Sequence, residues 1–309
     1  MSLHVVTGGA GFIGSHLSDA LLAAGHQVRV VDDLSTGHRR NLDPRVELLV
    51  GDVADPALMA WALQGAAGVF HLAAIASVAR SNEDWLGTHR ANQTGTIAVL
   101  DAARQRGRIP VVYASSAAIY GDQGEGPIDE GAVPAPNTAY GADKLGSELH
   151  ARVAFKVHGV PTLGFRFFNV FGPRQDPASP YSGVISIFAA RIAAGQPLTL
   201  HGNGRQTRDF VYVADVVRHL LAGMAVLHAA PQAGVLNVCT GRATSVAELA
   251  ETLARIDGRP LAMGFGPARP GDIRASLGNP AAAAAGLGVR AETGLEAGLA
   301  ATVGSMAAA

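Results

Sequence analysis

A chain of 309 residues that is 48% hydrophobic, with a formal net charge of −1, has room for one large or two modest domains, and its charge gives a nucleic acid no reason to bind. Cys239 is the only cysteine and the 11 histidines fall in no ligand-like spacing, which excludes a disulfide framework and leaves no metal site to expect. No apolar run approaches the roughly 18 residues of a membrane span, and no basic leader precedes the first apolar segment, so a soluble cytoplasmic protein with no membrane partner is expected.

Apolar residues 3–6 predict a first strand, followed at once by Thr7-Gly8-Gly9-Ala10-Gly11-Phe12-Ile13-Gly14. A helical run over 15–24 comes next, then Gly25, then a second strand over 27–31 ending in Asp32 and Asp33. Strand, glycine turn, helix, strand and acid in that order form a dinucleotide-binding pattern. Gly8 permits the tight turn, Gly11 lets backbone N–H groups approach a pyrophosphate, and Gly14 allows close helix–strand packing. Phe12 and Ile13 open the helix, whose N-terminus favours phosphate. Asp32, about 20 residues beyond the turn, is placed to accept from a ribose diol. Its charge would repel a 2′-phosphate, so NAD is expected rather than NADP. Arg39 and Arg40 are read as solvated loop charges.

Further along, strands are predicted over 46–50, 68–72, 109–114 and 161–168, with helices over 56–64, 84–106 and 140–158. This alternation predicts an α/β fold, a doubly wound parallel sheet covered on both faces. Ligands in such sheets sit at the carboxyl ends of the strands. Gly51-Asp52-Val53, His71-Leu72-Ala73-Ala74 and Ser115-Ser116 all fall on that edge. Asp52 and Val53 are candidate adenine contacts, and the small Ala73 and Ala74 allow a dinucleotide close. From about residue 172 the alternation stops, broken by Pro173, Pro177, Pro180 and Gly183, and Gly202-Asn203-Gly204 marks a turn. A cofactor domain over 1–171 and a smaller C-terminal α/β substrate domain over 172–309 are expected, with some late segments returning to the first lobe. The alanine run 281–285 reads equally as a helix or as compositional bias.

Tyr140 and Lys144 stand four residues apart, on one face if the segment is helical. A tyrosine ionises near pH ~10 and is a poor base at neutrality. A positive charge close by favours the phenolate. The pair would then accept the proton of an alcohol that is losing hydride. The plainer alternative is a half-buried aromatic and a solvated charge on an ordinary helix. The dinucleotide pattern at the other end of the chain favours the chemical reading.

Thr7–Gly14, Ser116 and Tyr140–Lys144 together resemble the extended short-chain dehydrogenase/reductase superfamily, over a span reaching residue 278. The resemblance implies a Rossmann domain that carries NAD and a smaller domain that carries a nucleotide-sugar. It further implies that Ser116, Tyr140 and Lys144 are catalytic. Ala117 and Ala118 stand where similar dehydratases carry an Asp-Glu pair, so elimination of water is not expected. What remains is the chemistry of a UDP-hexose 4-epimerase. Residues 166–175, Arg-Phe-Phe-Asn-Val-Phe-Gly-Pro-Arg-Gln, resemble the epimerase segment whose asparagine, here Asn169, contacts the sugar diphosphate. Arg208 and Arg269 match family arginines on the diphosphate, suited to bidentate phosphate binding, and Asp272 matches a contact to the uridine ribose. Ser276 matches a position that is a bulky tyrosine in epimerases confined to glucose and galactose. A serine there leaves room for an acetamido group, and Gln175-Asp176-Pro177 also looks like members that act on UDP-GlcNAc and UDP-GalNAc. A homodimer, joined through the helices over 84–106 and 140–158, is implied as well. Two other readings stand beside this one: a UDP-glucuronate 4-epimerase, which would want a basic group such as Arg174 near the sugar, and a non-catalytic dinucleotide-binding sensor or scaffold, which would be expected to lack the Ser-Tyr-Lys set.

Overall fold

The computed structural model describes residues 1–175, 183–267 and 273–307. In the first half, strands β1 (Leu3–Thr7), β2 (Gln27–Asp32), β3 (Glu47–Val50), β4 (Ala66–His71), β5 (Val111–Ser116) and β6 (Thr162–Phe167) alternate with helices. These are α1 (Phe12–Ala23), α2 (Pro56–Ala62), α3 (Val78–Glu83), α4 (Trp85–His89), α5 (Gly95–Gln105) and α6 (Ala139–His158). The second half runs β7 (Asn169–Phe171), α7 (Val184–Ala193), β8 (Leu198–His201), β9 (Thr207–Arg208), β10 (Phe210–Tyr212), α8 (Val213–Ala229), β11 (Ala233–Val238), β12 (Thr244–Ser245), α9 (Val246–Asp257), β13 (Met263–Gly266), β14 (Ala275–Ser276), α10 (Ala281–Leu287) and α11 (Leu295–Ala307).

The strands are apolar on both faces because both faces are covered. Within β1, Val5 packs among Met59, Leu63 and Val99 from α2, its flank and α5, while its neighbour Val6 packs among Leu17, Leu21 and Leu220 from α1 and α8. Side chains alternate along a strand, so a continuous valine run fills two cores at once. The resulting seven-stranded sheet has the order β11-β6-β5-β4-β1-β2-β3, every pair parallel. This is a Rossmann-type doubly wound sheet, and its order reverses between β1 and β4, where the ligand crevice of such a fold lies.

Two predicted helices differ in detail. α1 begins at Phe12 rather than residue 15, because Gly14 is tolerated inside the first turn when the turn preceding it needs the space. The predicted helix over 84–106 begins with Asp84 capping α4 through Gly87 N–H at 2.9 Å, passes through a wider π-helical turn at Arg90–Thr94, and continues as α5. α6 follows the expectation closely. Thr138 caps its start through Gly141 N–H at 3.0 Å, and Gly159, at φ 71°, ends it. The alanine run is helical, as α10, closed by Gly288 at φ 68°.

A third core, with Phe171, Ile185, Phe188, Leu200, Leu249 and Leu299, sits under α7, α9 and α11. Its strands form small sheets: β7 with β10, β8 with β13, and β9 between β12 and β14. An apolar stripe is left outside. Leu149, Val153 and Val157 recur every four residues on α6 and are exposed, as are Trp85, Leu86 and Ile97 on the neighbouring helices. Among the described residues no helix is long and apolar enough to cross a membrane.

Candidate active site

A cavity of about 490 Å³ opens at the carboxyl edge of the central sheet. Gly8, Gly11, Phe12, Ile13, Gly14, Asp32, Asp52, Val53, Ala73 and Ala74 line one part of it, and Ser116, Tyr140, Lys144 and Asn169 line another. The sequence thus placed fourteen candidates on one cavity although they span more than half the chain.

The glycine turn is shaped by backbone proximity. Gly8 has φ 69°, in the left-handed region, and a Cβ there would stand 2.7 Å from the Ala73 nitrogen. A Cβ on Gly14 would stand 2.2 Å from the Gly8 carbonyl oxygen, so Gly14 serves the turn itself. It is Gly9 that packs on the sheet, where a Cβ would meet Val30 of β2 at 2.4 Å. The Gly11 end of α1 has no side-chain cap and no acid in its first turn. Its N–H groups are therefore free to meet an anion, and the dipole favours one. These features fit the diphosphate of a dinucleotide.

Asp32 does more than the sequence suggested. Its Oδ2 accepts from Ala10 N–H and its Oδ1 from Leu34 N–H, both at 2.9 Å, so the carboxylate ties the glycine turn to the end of β2. Each oxygen retains a second lone pair for a ribose hydroxyl. Burial pushes its pKa up, against those two N–H donors. Asp52 accepts from Ala54 N–H at 2.8 Å and from Arg90 at 3.0 Å.

Behind the Ala73–Ala74 wall lies a buried relay. Thr96 gives its proton to the Asn92 carbonyl at 2.6 Å, so toward His71 Nε2, at 3.0 Å, it can only accept. The ring is therefore the Nε2–H tautomer, and its Nδ1 accepts from Thr7, at 2.8 Å. Burial holds His71 down to about 3, helped by the charge of Lys144. Sequence periodicity carried no signal for this histidine.

Tyr140 and Lys144 share a face of α6, with the ammonium 5.8 Å from the ring centre. Lys144 is buried and donates to the Ala114 carbonyl of β5 at 2.9 Å, which leaves two donors. Burial lowers its pKa to about 8, with Asp143 opposing. Tyr140 differs from the sequence expectation: the surrounding protein pushes its pKa up, through burial, and Ser116 pulls it back down. Burial of the phenol outweighs the positive charge of Lys144, whose ammonium is held by the Ala114 carbonyl. Ser116 accepts from Ala118 N–H at 3.1 Å, and its one proton, directed at the Tyr140 oxygen, can be turned to a ligand oxygen placed beside it. Ala117 and Ala118 form a short turn after it with no acid or base.

Two further candidates, Arg208 and Ser276, sit on one of the small sheets. Arg208 of β9 is in register with Ser276 of β14. Asn169 of β7 pairs with Phe210 of β10, and its N–H donates to the Asp209 carbonyl at 2.9 Å. Asp209, which sequence reasoning passed over, is fully buried. Its carboxylate accepts from the Thr240 N–H and hydroxyl, from Gly241 N–H at 2.9 Å and from Gly278 N–H at 3.4 Å. Burial nonetheless raises its pKa. Arg208 and Ser276 do not line the cavity described above, and Arg269 and Asp272 lie outside the described residues. Gln175 does line it, and its buried Oε1 has no partner among the described residues.

The family pattern described as NAD dependent epimerase/dehydratase matches residues 4–239. The chain belongs to that family. A UDP-glucose 4-epimerase of Mycolicibacterium smegmatis is 37% identical over 309 residues, covering 97% of this chain and 96% of its own length. Among solved structures, the UDP-glucose 4-epimerase of Thermotoga maritima with UDP-glucose is 35% identical, with a TM-score of 0.94 and 99% of each chain covered. The UDP-N-acetylglucosamine 4-epimerase of Methanobrevibacter ruminantium, in complex with UDP-N-acetylmuramic acid, is 31% identical, with a TM-score of 0.94 over 99% of this chain and 98% of that one. NAD is the cofactor of the family, and the glycine turn, the uncapped helix and Asp32 are the residues here that fit it.

Proposed function

We propose that this enzyme, a UDP-sugar 4-epimerase, interconverts UDP-GlcNAc and UDP-GalNAc. The observation that carries the epimerase reading is the single cavity in which Ser116, Tyr140 and Lys144 face a dinucleotide cradle with no acid–base pair beside them. NAD, held by the glycine turn, the uncapped start of α1 and Asp32, would supply hydride-accepting and hydride-returning chemistry at carbon 4 of the sugar. Tyr140 takes the proton of the 4-hydroxyl, Ser116 donates a hydrogen bond to the same oxygen, and Lys144 supplies positive charge that favours the phenolate. Asn169, Arg208, Arg269 and Asp272 hold the UDP portion, so that the oxidised sugar can turn over while its diphosphate stays fixed. Charge-assisted bonds from guanidinium to phosphate suit that grip.

The N-acetyl preference rests on Ser276, which stands beside Arg208 in the strand register and is small where a tyrosine would fill the sugar pocket. Gln175 offers the cavity a buried acceptor with no partner among the described residues, compatible with an acetamido N–H as it is with a 2-hydroxyl. A uronate is less well matched, since Arg174 turns away to pair with Asp19 of α1 at 2.7 Å. The exposed stripe of Leu149, Val153 and Val157 with Trp85, Leu86 and Ile97 suits a homodimer packed through the α4–α6 helices.

The test is separate incubation with UDP-GlcNAc, UDP-glucose and UDP-glucuronate, with the C4 epimer of each resolved by chromatography. UDP-GlcNAc should turn over fastest, and Ser276→Tyr should lower that rate about 10-fold or more relative to UDP-glucose. Conversion of UDP-glucose alone would remove the N-acetyl reading.

A further inference from the structure

A buried polar cluster behind the cavity, which it meets at Ser115, is aimed at the two elements that carry the chemistry. Glu148 of α6 and Arg166 of β6 are 5% and 4% exposed, and the guanidinium grips the carboxylate with Nε and Nη2 at 2.9 and 2.7 Å. Nη1 donates to the Tyr120 hydroxyl and to the Glu130 carbonyl, both at 2.9 Å, so four of the five guanidinium donors are used. Ser115 of β5 donates to the same carboxylate at 2.5 Å.

Position gives this cluster its meaning. Glu148 lies one turn beyond Lys144 and two beyond Tyr140 on the same helix face. Ser115 immediately precedes Ser116. Together with the Lys144–Ala114 bond, the Ser115–Glu148 bond pins two successive turns of α6 to two successive residues of β5. The cluster also reaches the segment that follows Ser276. Tyr120 donates to Asn237 at 2.7 Å, the Asn237 side chain donates to the Ile128 carbonyl at 2.9 Å, and Ile128 N–H donates to the Leu277 carbonyl at 2.8 Å.

Stability alone is a poor reason for such a pair. Desolvating two charges costs more than a well-packed apolar replacement of similar volume, which is often as stable or more so. Geometry is a better reason, because a misplacement of about 1 Å at the reacting atoms can cost roughly 100-fold in rate. We propose that Glu148 and Arg166 are positioning residues for proton transfer, setting α6 along β5 so that Tyr140 and Ser116 meet at one oxygen of the sugar. This rests on the epimerase reading for the identity of the substrate but not for the geometry.

Three variants of graded severity test it: Ser115→Ala, Glu148→Gln, and the double variant Glu148→Leu/Arg166→Met, which leaves no charge unpaired. The readouts are kcat and KM for UDP-GlcNAc, the melting temperature, and an ultraviolet difference titration of the Tyr140 phenol in the NAD-loaded protein, referenced to Y140F in each background. Around Glu148 and Arg166 stand the phenols of Tyr113 and Tyr120, with Glu130 and Arg152 beside them, and the Y140F reference removes their share of the signal; around Lys144 stand Asp143, held by His89, and His71, all untouched by these changes. We expect kcat to fall about 3- to 10-fold in S115A and on the order of 30-fold or more in the other two, with KM within twofold. The Tyr140 titration should move up as Ser116 loses contact. Simple loss of the Glu148 charge would move it down, so the sign separates geometry from electrostatics. Should the double variant not fold, S115A and E148Q decide. Wild-type kcat with an unmoved titration in a folded S115A or E148Q would overturn the proposal, as would a rise in KM alone. If the wild-type protein turned over no UDP-sugar, the titration would still decide: an upward shift keeps the positioning role and refutes the epimerase reading, and no shift refutes both.

Discussion

The cofactor end of the cavity and the small sheets proposed to hold the sugar diphosphate are built from different materials. At the end assigned to the cofactor, the contacts come from backbone: a left-handed glycine, an uncapped helix terminus, and a carboxylate that accepts from two backbone N–H groups. On the small sheets proposed to hold the sugar diphosphate, side chains sit on strands of two or three residues, drawn from three separated stretches of chain and tied by Asp209. The first kind of site tolerates almost no change in side-chain volume and depends little on charge. The second should tolerate changes in size while failing when a charge is lost.

Gly14→Ala is the strongest attempt to break that contrast. Its Cβ would stand 2.2 Å from the Gly8 oxygen, so the turn must shift. NAD affinity should fall on the order of 100-fold, with a loss of roughly 1–3 kcal/mol in stability, read by cofactor absorbance after gel filtration and by thermal melting. Any fraction still loaded should show an unchanged KM for UDP-sugar. Arg208→Met is the mirror experiment. KM should rise about 10- to 100-fold, corresponding to about 1.5–3 kcal/mol for hydrogen bonds to a charged group, with NAD retained. If R208M shed its cofactor, the two regions would not be separable as described.

That contrast also explains what could be read from the chain. The cofactor end was legible because its requirements are local: a glycine turn of eight residues and an acid at the end of the next strand. Tyr140 and Lys144 were legible because helix periodicity puts them on one face. The adjacency of Arg208 and Ser276 was not, since strand register between residues 68 positions apart leaves no mark on either segment. Asp209 went unnoticed for the same reason: its four donors come from residues 240, 241 and 278. The raised Tyr140 pKa was not legible, because spacing shows that Lys144 can approach and says nothing of how deeply the phenol is buried.

The smallest effect is expected in a third region that should leave both of these alone. His4, at the far end of β1, is 5% exposed, and burial lowers its pKa to about 4, helped by repulsion from His26 and His228. The unfolded chain takes up this proton near pH ~6.5, while the folded chain resists down to about 4. The stabilisation is therefore complete above the upper value and lost progressively as pH falls toward the lower one. Its size is on the order of 3 kcal/mol. His4→Leu should flatten the decline in melting temperature across that window without changing NAD content or KM. An identical decline in H4L would assign the acid sensitivity elsewhere, His71 being the next buried histidine to examine.

Asp209 has a consequence for how selectivity can change. Because its carboxylate holds the backbone at Gly278, and Ile128 holds the backbone at Leu277, the strand that carries Ser276 is fixed in place by its neighbours and owes nothing to the side chain at 276. On the proposed N-acetyl reading, a change in the one codon for Ser276 alters sugar preference and leaves that backbone frame as it was.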